Sequence, residues 1–541
     1  METHPLPAQL IRLVGVPDLN VVREHLRNHS TPPGISNPFA SVADLQTFRQ
    51  GLDMYLSLFS PIRRLPEDVL YQIFQYHAQS APGGRDNFRD RASHAPVRAL
   101  AQVCAFWRAV VINSPSLWTQ IDVRAIEEVA SRSGADAASK VVSLGLENSR
   151  GGPLDVRLQR CSRSSLEILP MYLQRAKHLH LTTLQHPEEV KYLSTICANN
   201  VPQLRDLRIT GTSLAVGVLS GAHLRAVDWT TSAVNLRCLS VSGSLISQIP
   251  PQVLGRLASL ECTVYVPELD ESVSILQSIQ AGVHYSLVFY PTFFPNDYND
   301  TTVQIKPTTS SITRLTLAAG GLNHRPHGNE QTTQVFSKIM RALMLSTLQG
   351  LSFEGAPAND GQAPMMLPWP HAAFLDLAFR SQFSSHLLSL DLVGVDISAV
   401  QLDVCLHHLR SLQSLAIADP DQKSDNDTET KALVSTSLLN RLAETQPTIE
   451  NPIVAAPSLT ELRMYSKLEF TDWSLAMFLR ARAMMVGRKK PFTCHIYVRG
   501  KWTEVTDVRR KMVWQQTVDL RQEGRLKMSF SSESRIWWSV S

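Results

Sequence analysis

Apolar positions follow one period up to residue 121 and two interleaved periods beyond it. In the first part they recur every three or four residues, the spacing of a helix with one apolar face. Val69, Leu70, Ile73 and Phe74 make such a face. Pro66 suits the first helical position, and Glu67 and Asp68 set negative charge against the helix dipole. Val97, Leu100, Val103, Cys104, Trp107, Val110 and Val111 predict a second, unbroken helix, followed by a Ser114-Pro115 turn, Leu117 and Trp118. Upstream, residues 1–26 carry a loose helical pattern broken at Pro17, and a Pro, Ser and Gly-rich link runs over 30–41. Leu45, Phe48, Leu52, Tyr55, Leu56 and Phe59 then predict a helix over Val42–Phe59, which suits core packing against 62–121 or a binding groove. Two short amphipathic helices within 62–121 bury too little surface to stand alone, so their apolar faces predict a partner.

Beyond Trp118 a Leu-x-x-Leu-x-Leu pattern keeps returning with conservative swaps. It stands at Leu204-x-x-Leu207-x-Ile209, Leu224-x-x-Val227-x-Trp229, Leu236-x-x-Leu239-x-Val241, Ile312-x-x-Leu315-x-Leu317 and Leu348-x-x-Leu351-x-Phe353. It continues at Leu387-x-x-Leu390-x-Leu392, Leu412-x-x-Leu415-x-Ile417 and Leu459-x-x-Leu462-x-Met464. Ala176-x-x-Leu179-x-Leu181 and Leu260–Tyr265 are weaker copies, and Leu154–Leu158 alternates as a strand does. In each copy the apolar side chains turn inward and the residues between them look out. Gaps run from 12 residues (224 to 236) to 76 (236 to 312). Helical spacing fills several of them, at Glu188–Ala198, Thr333–Leu345, Val400–Leu409 and Val434–Leu442. Segments 291–311, 318–332, 355–371 and 419–431 read as surface loops, the last polar and acidic enough for disorder. After residue 466, Trp473–Met485 predicts a helix, Phe492–Val498 a strand and 504–520 a helix. The basic residues there, with Trp502, Trp514, Trp537 and Trp538, suit either RNA contact, a nuclear signal or a cap over the last core layer.

Composition narrows the chemistry. The 541 residues are 43% hydrophobic and 18% charged, enough to bury a large core. The net charge of +4, from 52 basic and 48 acidic residues, is too balanced to argue for a nucleic-acid surface. Seven scattered cysteines, none in Cys-x-x-Cys, predict reduced thiols. The first thirty residues lack a signal-peptide layout, and no apolar run approaches the ~18–20 residues that span a bilayer. Phosphate-loop, dinucleotide, zinc-protease and serine-hydrolase motifs are missing from the sequence. His178/His180 and His407/His408 lack metal-ligand partners at working spacing. His180 is predicted to point outward from a strand, solvated or touching a partner.

Leu65–Phe74, Leu100–Arg108 and Ser114–Trp118 together resemble an F-box: Leu-Pro-Glu-x-hydrophobic-Leu-x-x-Ile-Phe, then Leu-x-x-Val-Cys-x-x-Trp-Arg, then Ser-Pro-x-Leu-Trp. The departure is segment 78–96, longer than the usual turn. The later pattern resembles the strand signature of leucine-rich repeats, with Thr212, Ser244 and Gly320 where an Asn is usual. An ordinary leucine-rich α/β domain would carry a similar pattern. The combination is similar to the large F-box families of mushroom-forming fungi.

The resemblance implies an α/β chain: a helical F-box, then an irregular leucine-rich-repeat solenoid with a parallel curved sheet and outer helices. The corresponding domains are 1–61 (helical segment with linker), 62–121 (F-box), 122–465 (repeats) and 466–541 (cap). It implies a non-enzymatic, cytoplasmic or nuclear substrate-recognition subunit of a Skp/cullin/F-box type ubiquitin ligase. Its partners would be a Skp-family adaptor, a cullin scaffold reached through it, and a protein target, with no cofactor, metal, nucleic acid or membrane. The alternative is a scaffold that binds partners without delivering them for ubiquitination. By the same resemblance Leu65, Pro66, Leu70, Ile73, Leu100, Val103, Cys104 and Trp107 would face or support the adaptor, Trp107 serving equally well as hairpin core. The outward positions Arg208, Asp228, Glu354, Asp391, Arg463 and Tyr465 are the candidates for target contact.

Overall fold

The computed structural model describes residues 65–79, 95–123, 135–159, 173–182, 201–210, 233–242, 246, 249–265, 268–290, 305–319, 328–355, 366–419, 432–444, 446, 454–486, 490–498 and 504–531. The predicted helices at 42–59 and 188–198 and the copy at 224–229 lie outside them.

Among the described residues fourteen strands form one sheet whose spatial order is the order along the chain. They are β1 Gln120–Asp122, β2 Leu154–Gln159, β3 Ala176–Thr182, β4 Asp206–Thr210, β5 Cys238–Ser242, β6 Ser259–Tyr265 and β7 His284–Tyr290. The second half comprises β8 Arg314–Ala319, β9 Gly350–Glu354, β10 Ser389–Val393, β11 Ser414–Ala418, β12 Glu461–Ser466, β13 Phe492–Val498 and β14 Leu526–Ser531. Every neighbouring pair is parallel. Parallel neighbours need a crossover between them, which is what the helical and loop segments supply.

The two apolar positions of each copy stack into rungs. One rung runs Leu351–Leu390–Leu415–Leu462–Cys494, another Phe353–Leu392–Ile417–Met464–Ile496. All ten side chains are buried. The leading Leu of each copy has its own function. In several copies its amide closes a tight turn onto an apolar residue three before it, as in Leu204 onto Val201 (3.0 Å), Leu236 onto Ala233 (3.1 Å), Leu348 onto Leu345 (3.2 Å) and Leu412 onto Leu409 (3.2 Å), whereas the Leu387 amide reaches Phe383 (3.1 Å) and the Ile312 amide the Ser310 hydroxyl (3.4 Å). In several copies the residue after the leading Leu then lends its carbonyl to two successive amides at the start of the next strand, while Thr460, after Leu459, accepts the Thr493 amide (2.8 Å). Arg205 accepts from Arg237 and Cys238, both at 2.9 Å, and Gln413 from Thr460 (2.8 Å) and Glu461 (2.9 Å). This recurring backbone spine fixes the parallel register, because a slip of one residue would move every Leu to the outer face.

The 76-residue gap closes with two strands. β6 carries Leu260, Cys262 and Val264 inward, and β7 carries Tyr285, Leu287 and Phe289, all buried. In β7 an aromatic replaces the central Leu, which hides it from a search for leucines. All four predicted loops overlap the described residues, and a helix over Gly328–Ala342 begins inside 318–332. Thr308–Thr309 pairs with Leu343–Met344, and Leu367–Pro368 pairs with Val395–Asp396. Asp419 is fully buried and accepts from the Val434 amide (2.7 Å), the Ser466 hydroxyl (2.8 Å) and the Lys467 amide (2.8 Å). A carboxylate that receives three donors is tolerated inside.

Candidate functional site

The described residues before β1, 65–79 and 95–119, form a helical hairpin with a core of its own. Its helices are α1 Glu67–Gln79, α2 Ala95–Val103 and α3 Ala105–Ile112, and a single turn, Pro115–Trp118, closes it. The predicted unbroken helix over 97–111 is interrupted at Cys104, whose backbone is extended (φ −162°, ψ 169°). Its thiol accepts the Trp107 amide at 3.4 Å, and its carbonyl accepts the Arg108 amide at 3.0 Å. A small side chain with a weak acceptor thus does the work of a Ser or Thr N-cap. Helical periodicity continues through the break, so spacing alone could not show it.

Across the hairpin Trp107 packs against Phe74, ring centroids 4.8 Å apart at 60°. Leu70, Phe74, Val97, Trp107, Val110, Val111, Leu117 and Trp118 are the buried core. Polar ties hold it closed: Trp118 Nε1 donates to the Val111 carbonyl (2.8 Å), Tyr71 and Ser116 share a hydroxyl bond (2.7 Å), and Arg108 Nε donates to the Ala101 carbonyl (3.0 Å).

This packing sorts the eight predicted adaptor residues. Leu70 and Trp107 lie inside and can only support a partner surface. Leu65, Leu100 and Cys104 are half-buried against the same core. Pro66 is exposed, and Ile73 and Val103 keep 40% and 49% of their surface in water. Phe106, absent from the prediction, is 44% exposed. It sits one residue from Trp107 and just past the Cys104 break; the break was the missing signal.

The outer face of the sheet holds the predicted target residues within the described segments. Asp391 and Arg463 come together: a 3.2 Å ion pair bridges β10 and β12 over Ala416, the small residue opposite both on β11. Burial pushes the Asp391 carboxyl above its ordinary value, against the opposing pull of Arg463. Glu354 accepts from Ser352 Oγ at 3.3 Å. Arg208 is half-exposed, its Nε 3.6 Å from Asp206. Tyr465 departs from the prediction of an open contact residue: it is only 9% exposed and stacks on Tyr497, centroids 4.4 Å apart at 12°. The parallel register puts these two rings on the same row of adjacent strands. Asp228 lies outside the described residues. His180 does point outward, between Arg157 and Arg208; burial and these two cations hold its imidazole down to about 4.

Burial pushes the Cys262 and Cys405 thiols up to about 12, and raises Cys494 as well, so these three stay protonated at neutral pH. Among the described residues no group of three or more His, Cys, Asp or Glu side chains is placed to hold a metal ion. No helix among them is long and apolar enough to cross a membrane.

Comparison with known proteins adds one match: residues 62–124 fit the family model described as F-box-like. The match covers the hairpin and the first strand of the sheet. No curated protein matches the chain.

Proposed function

We propose that this chain is the substrate-recognition subunit of a Skp/cullin/F-box type ubiquitin ligase. The hairpin docks a Skp-family adaptor, and the sheet, read as irregular leucine-rich repeats, presents a protein target on its outer face. The observation that carries this reading is the F-box-like match over 62–124, on a hairpin that leaves Pro66, Ile73, Val103 and Phe106 in contact with water. Exposed apolar residues on so small a unit call for a covering partner, and F-box domains generally bind Skp-type adaptors.

The repeat reading is supported by the recurring turn, carbonyl spine and paired apolar rungs. With neighbouring strands ~4.8 Å apart, fourteen of them offer a row roughly 60 Å long. Its outward residues mix both charges with hydroxyls, which suits a protein surface. The role is adaptor chemistry: the chain holds a target while a bound conjugating enzyme performs the transfer.

Co-expression with a Skp-family adaptor and a cullin tests it. The expected result is a one-to-one complex with the adaptor on a sizing column, joined by the cullin, both lost when 62–121 is deleted. Adaptor binding without cullin assembly would favour a non-ligase scaffold. Failure to bind the adaptor at micromolar concentration would overturn both.

A further inference from the structure

We propose that the groove between the last two long helices of the chain is a docking site for an acidic amphipathic helix of a partner protein. It lies on the helical side of the final strands, apart from both the hairpin and the strand-lined face, and does not depend on the ligase reading.

The two helices are α4 Asp472–Val486 and α5 Glu504–Gln516. They run parallel: Asp472, at the start of α4, accepts from Arg509 Nε at 2.6 Å, and Arg480, two turns on, donates to the Gln516 carbonyl at 2.9 Å. One side of α4 is core. Leu475, Phe478, Leu479 and Ala483 are buried there, with the Phe478 ring against Phe492, centroids 5.6 Å apart. The opposite side is apolar too: Trp473, Met477 and Met484, at i, i+4 and i+11, form one stripe and are 64%, 43% and 60% exposed. A helix that is apolar all round belongs in an interior. On α5, Met512 stands three residues after Arg509 and four before Gln516, two of the residues that touch α4, and Val508 lies one turn before it. Both therefore line the same groove, 45% and 56% exposed. Single exposed apolar residues are ordinary, whereas a contiguous group of large ones marks an interaction surface.

The surrounding charge selects the occupant. Residues 466–541 hold 15 Lys and Arg against 7 Asp and Glu, in a chain whose net charge is only +4. Asp472, Asp507, Asp519 and Glu523 are each taken up by an arginine, at 2.6, 3.2, 2.9 and 3.5 Å. Lys511, beside Met512, and Lys490, just past α4, are exposed and have no acidic partner among the described residues. A second copy of the chain would bring the same positive excess against itself. A bilayer is disfavoured because Arg480, on the apolar stripe between Met477 and Met484, holds Asp519 through bonds of 3.0 and 2.9 Å. Hydrocarbon laid over the stripe would strip water from that ion pair and offer it nothing in return. An acidic protein segment meets the lysines, and a helix seats its ridges between two parallel helices. From Trp473 to Met484 the groove runs roughly 16 Å, three turns of such a helix. Three of its five apolar residues are methionines, whose flexible side chains adapt to a partner's shape.

The full chain, with or without a co-purified Skp-family adaptor, is titrated by anisotropy against a fluorescein-labelled acidic helix, three repeats of Glu-Leu-Leu-Gln-Glu-Leu-Ala. A scramble of the same composition, the repeat with Lys in place of Glu, and phosphatidylcholine–phosphatidylserine vesicles are run beside it. The acidic helix should bind about tenfold or more tighter than the scramble or the basic helix. Trp473→Ala with Met477→Ala, and separately Val508→Ala with Met512→Ala, should each weaken it about tenfold or more. Lys490→Glu with Lys511→Glu should weaken it about threefold or more. Phe379→Ala, which removes an exposed aromatic from the helix over His371–Arg380, should leave binding unchanged. Every replaced side chain is exposed, and thermal midpoints confirm that each variant is folded. No saturable binding, equal binding of the scramble, or indifference to the alanine or lysine pairs would overturn the assignment. So would tighter binding of the basic helix, preference for the vesicles, binding that emerges only when 532–541 is removed, or a dimer of the chain on a sizing column that Trp473→Ala dissolves.

Discussion

Ile73, Val103 and Phe106 divide the hairpin's two duties, and replacing all three with Ala separates them. Full burial of a Val, Ile or Phe side chain contributes ~1.5–3 kcal/mol. The fractions left in water are 40%, 49% and 44%. Covering them on docking is therefore worth roughly 0.6–1.5 kcal/mol each and about 2–4 kcal/mol together. Losing that sum weakens adaptor binding roughly 30- to 1,000-fold. The parts already buried set the stability cost, so each single substitution should destabilise the hairpin by less than ~1.5 kcal/mol. Leu70→Ala is the counter-perturbation. Leu70 is fully buried against Phe74 and Trp107, and its truncation should cost ~2–5 kcal/mol of folding. Calorimetric titration with a Skp-family adaptor measures the first effect, and chemical denaturation the second. If the triple variant binds within about threefold of the parent, or Leu70→Ala leaves stability unchanged, the division of the hairpin into an inner and an outer set is wrong.

Three further outcomes are expected. Arg482 is fully buried and donates to the carbonyls of Leu442 (2.6 Å), Ala456 (2.8 Å) and Ala455 (2.7 Å), so Arg482→Met removes a buried donor from all three and leaves Ala456 only the Leu459 amide (3.2 Å); a loss of about 3 kcal/mol or more should appear in urea melts. The His180 imidazole is held at about 4 instead of 6.5, so the unfolded chain binds a proton that the folded chain refuses between those values. Stability should therefore fall as pH drops from 6.5 toward 4, by at most ~3 kcal/mol, and His180→Gln should flatten that part of the profile of denaturation midpoint against pH. Asp391→Arg combined with Arg463→Asp swaps the bridge over Ala416; adaptor binding should survive while the proteins crosslinked to the outer face change, and an unchanged set would place recognition elsewhere.

Much of the architecture is written in local pattern. Leu-x-Leu alternation marks β4, β5 and β8 to β12 because an inward strand position tolerates little but a branched apolar side chain. The three F-box pieces are legible for a similar reason: Leu70, Phe74 and Trp107 must fill one small core, so their types and spacing are tightly constrained. β7 escapes because Tyr285 and Phe289 fill the inward rows as well as Leu does, and the rule the core enforces is burial of a large apolar group. What depends on which strand lies beside which was closed to sequence. Arg463 meets Asp391 across 72 positions of chain because β11 between them presents Ala416. Tyr465 is covered because Tyr497 falls opposite it in the next strand. The Arg157–His180–Arg208 row likewise exists only once β2, β3 and β4 are in register. Periodicity reports which way a side chain points relative to its own backbone, whereas a site is made by side chains of different segments. Their juxtaposition is decided by backbone hydrogen bonds between strands, which every residue type can make and which leave no mark on composition.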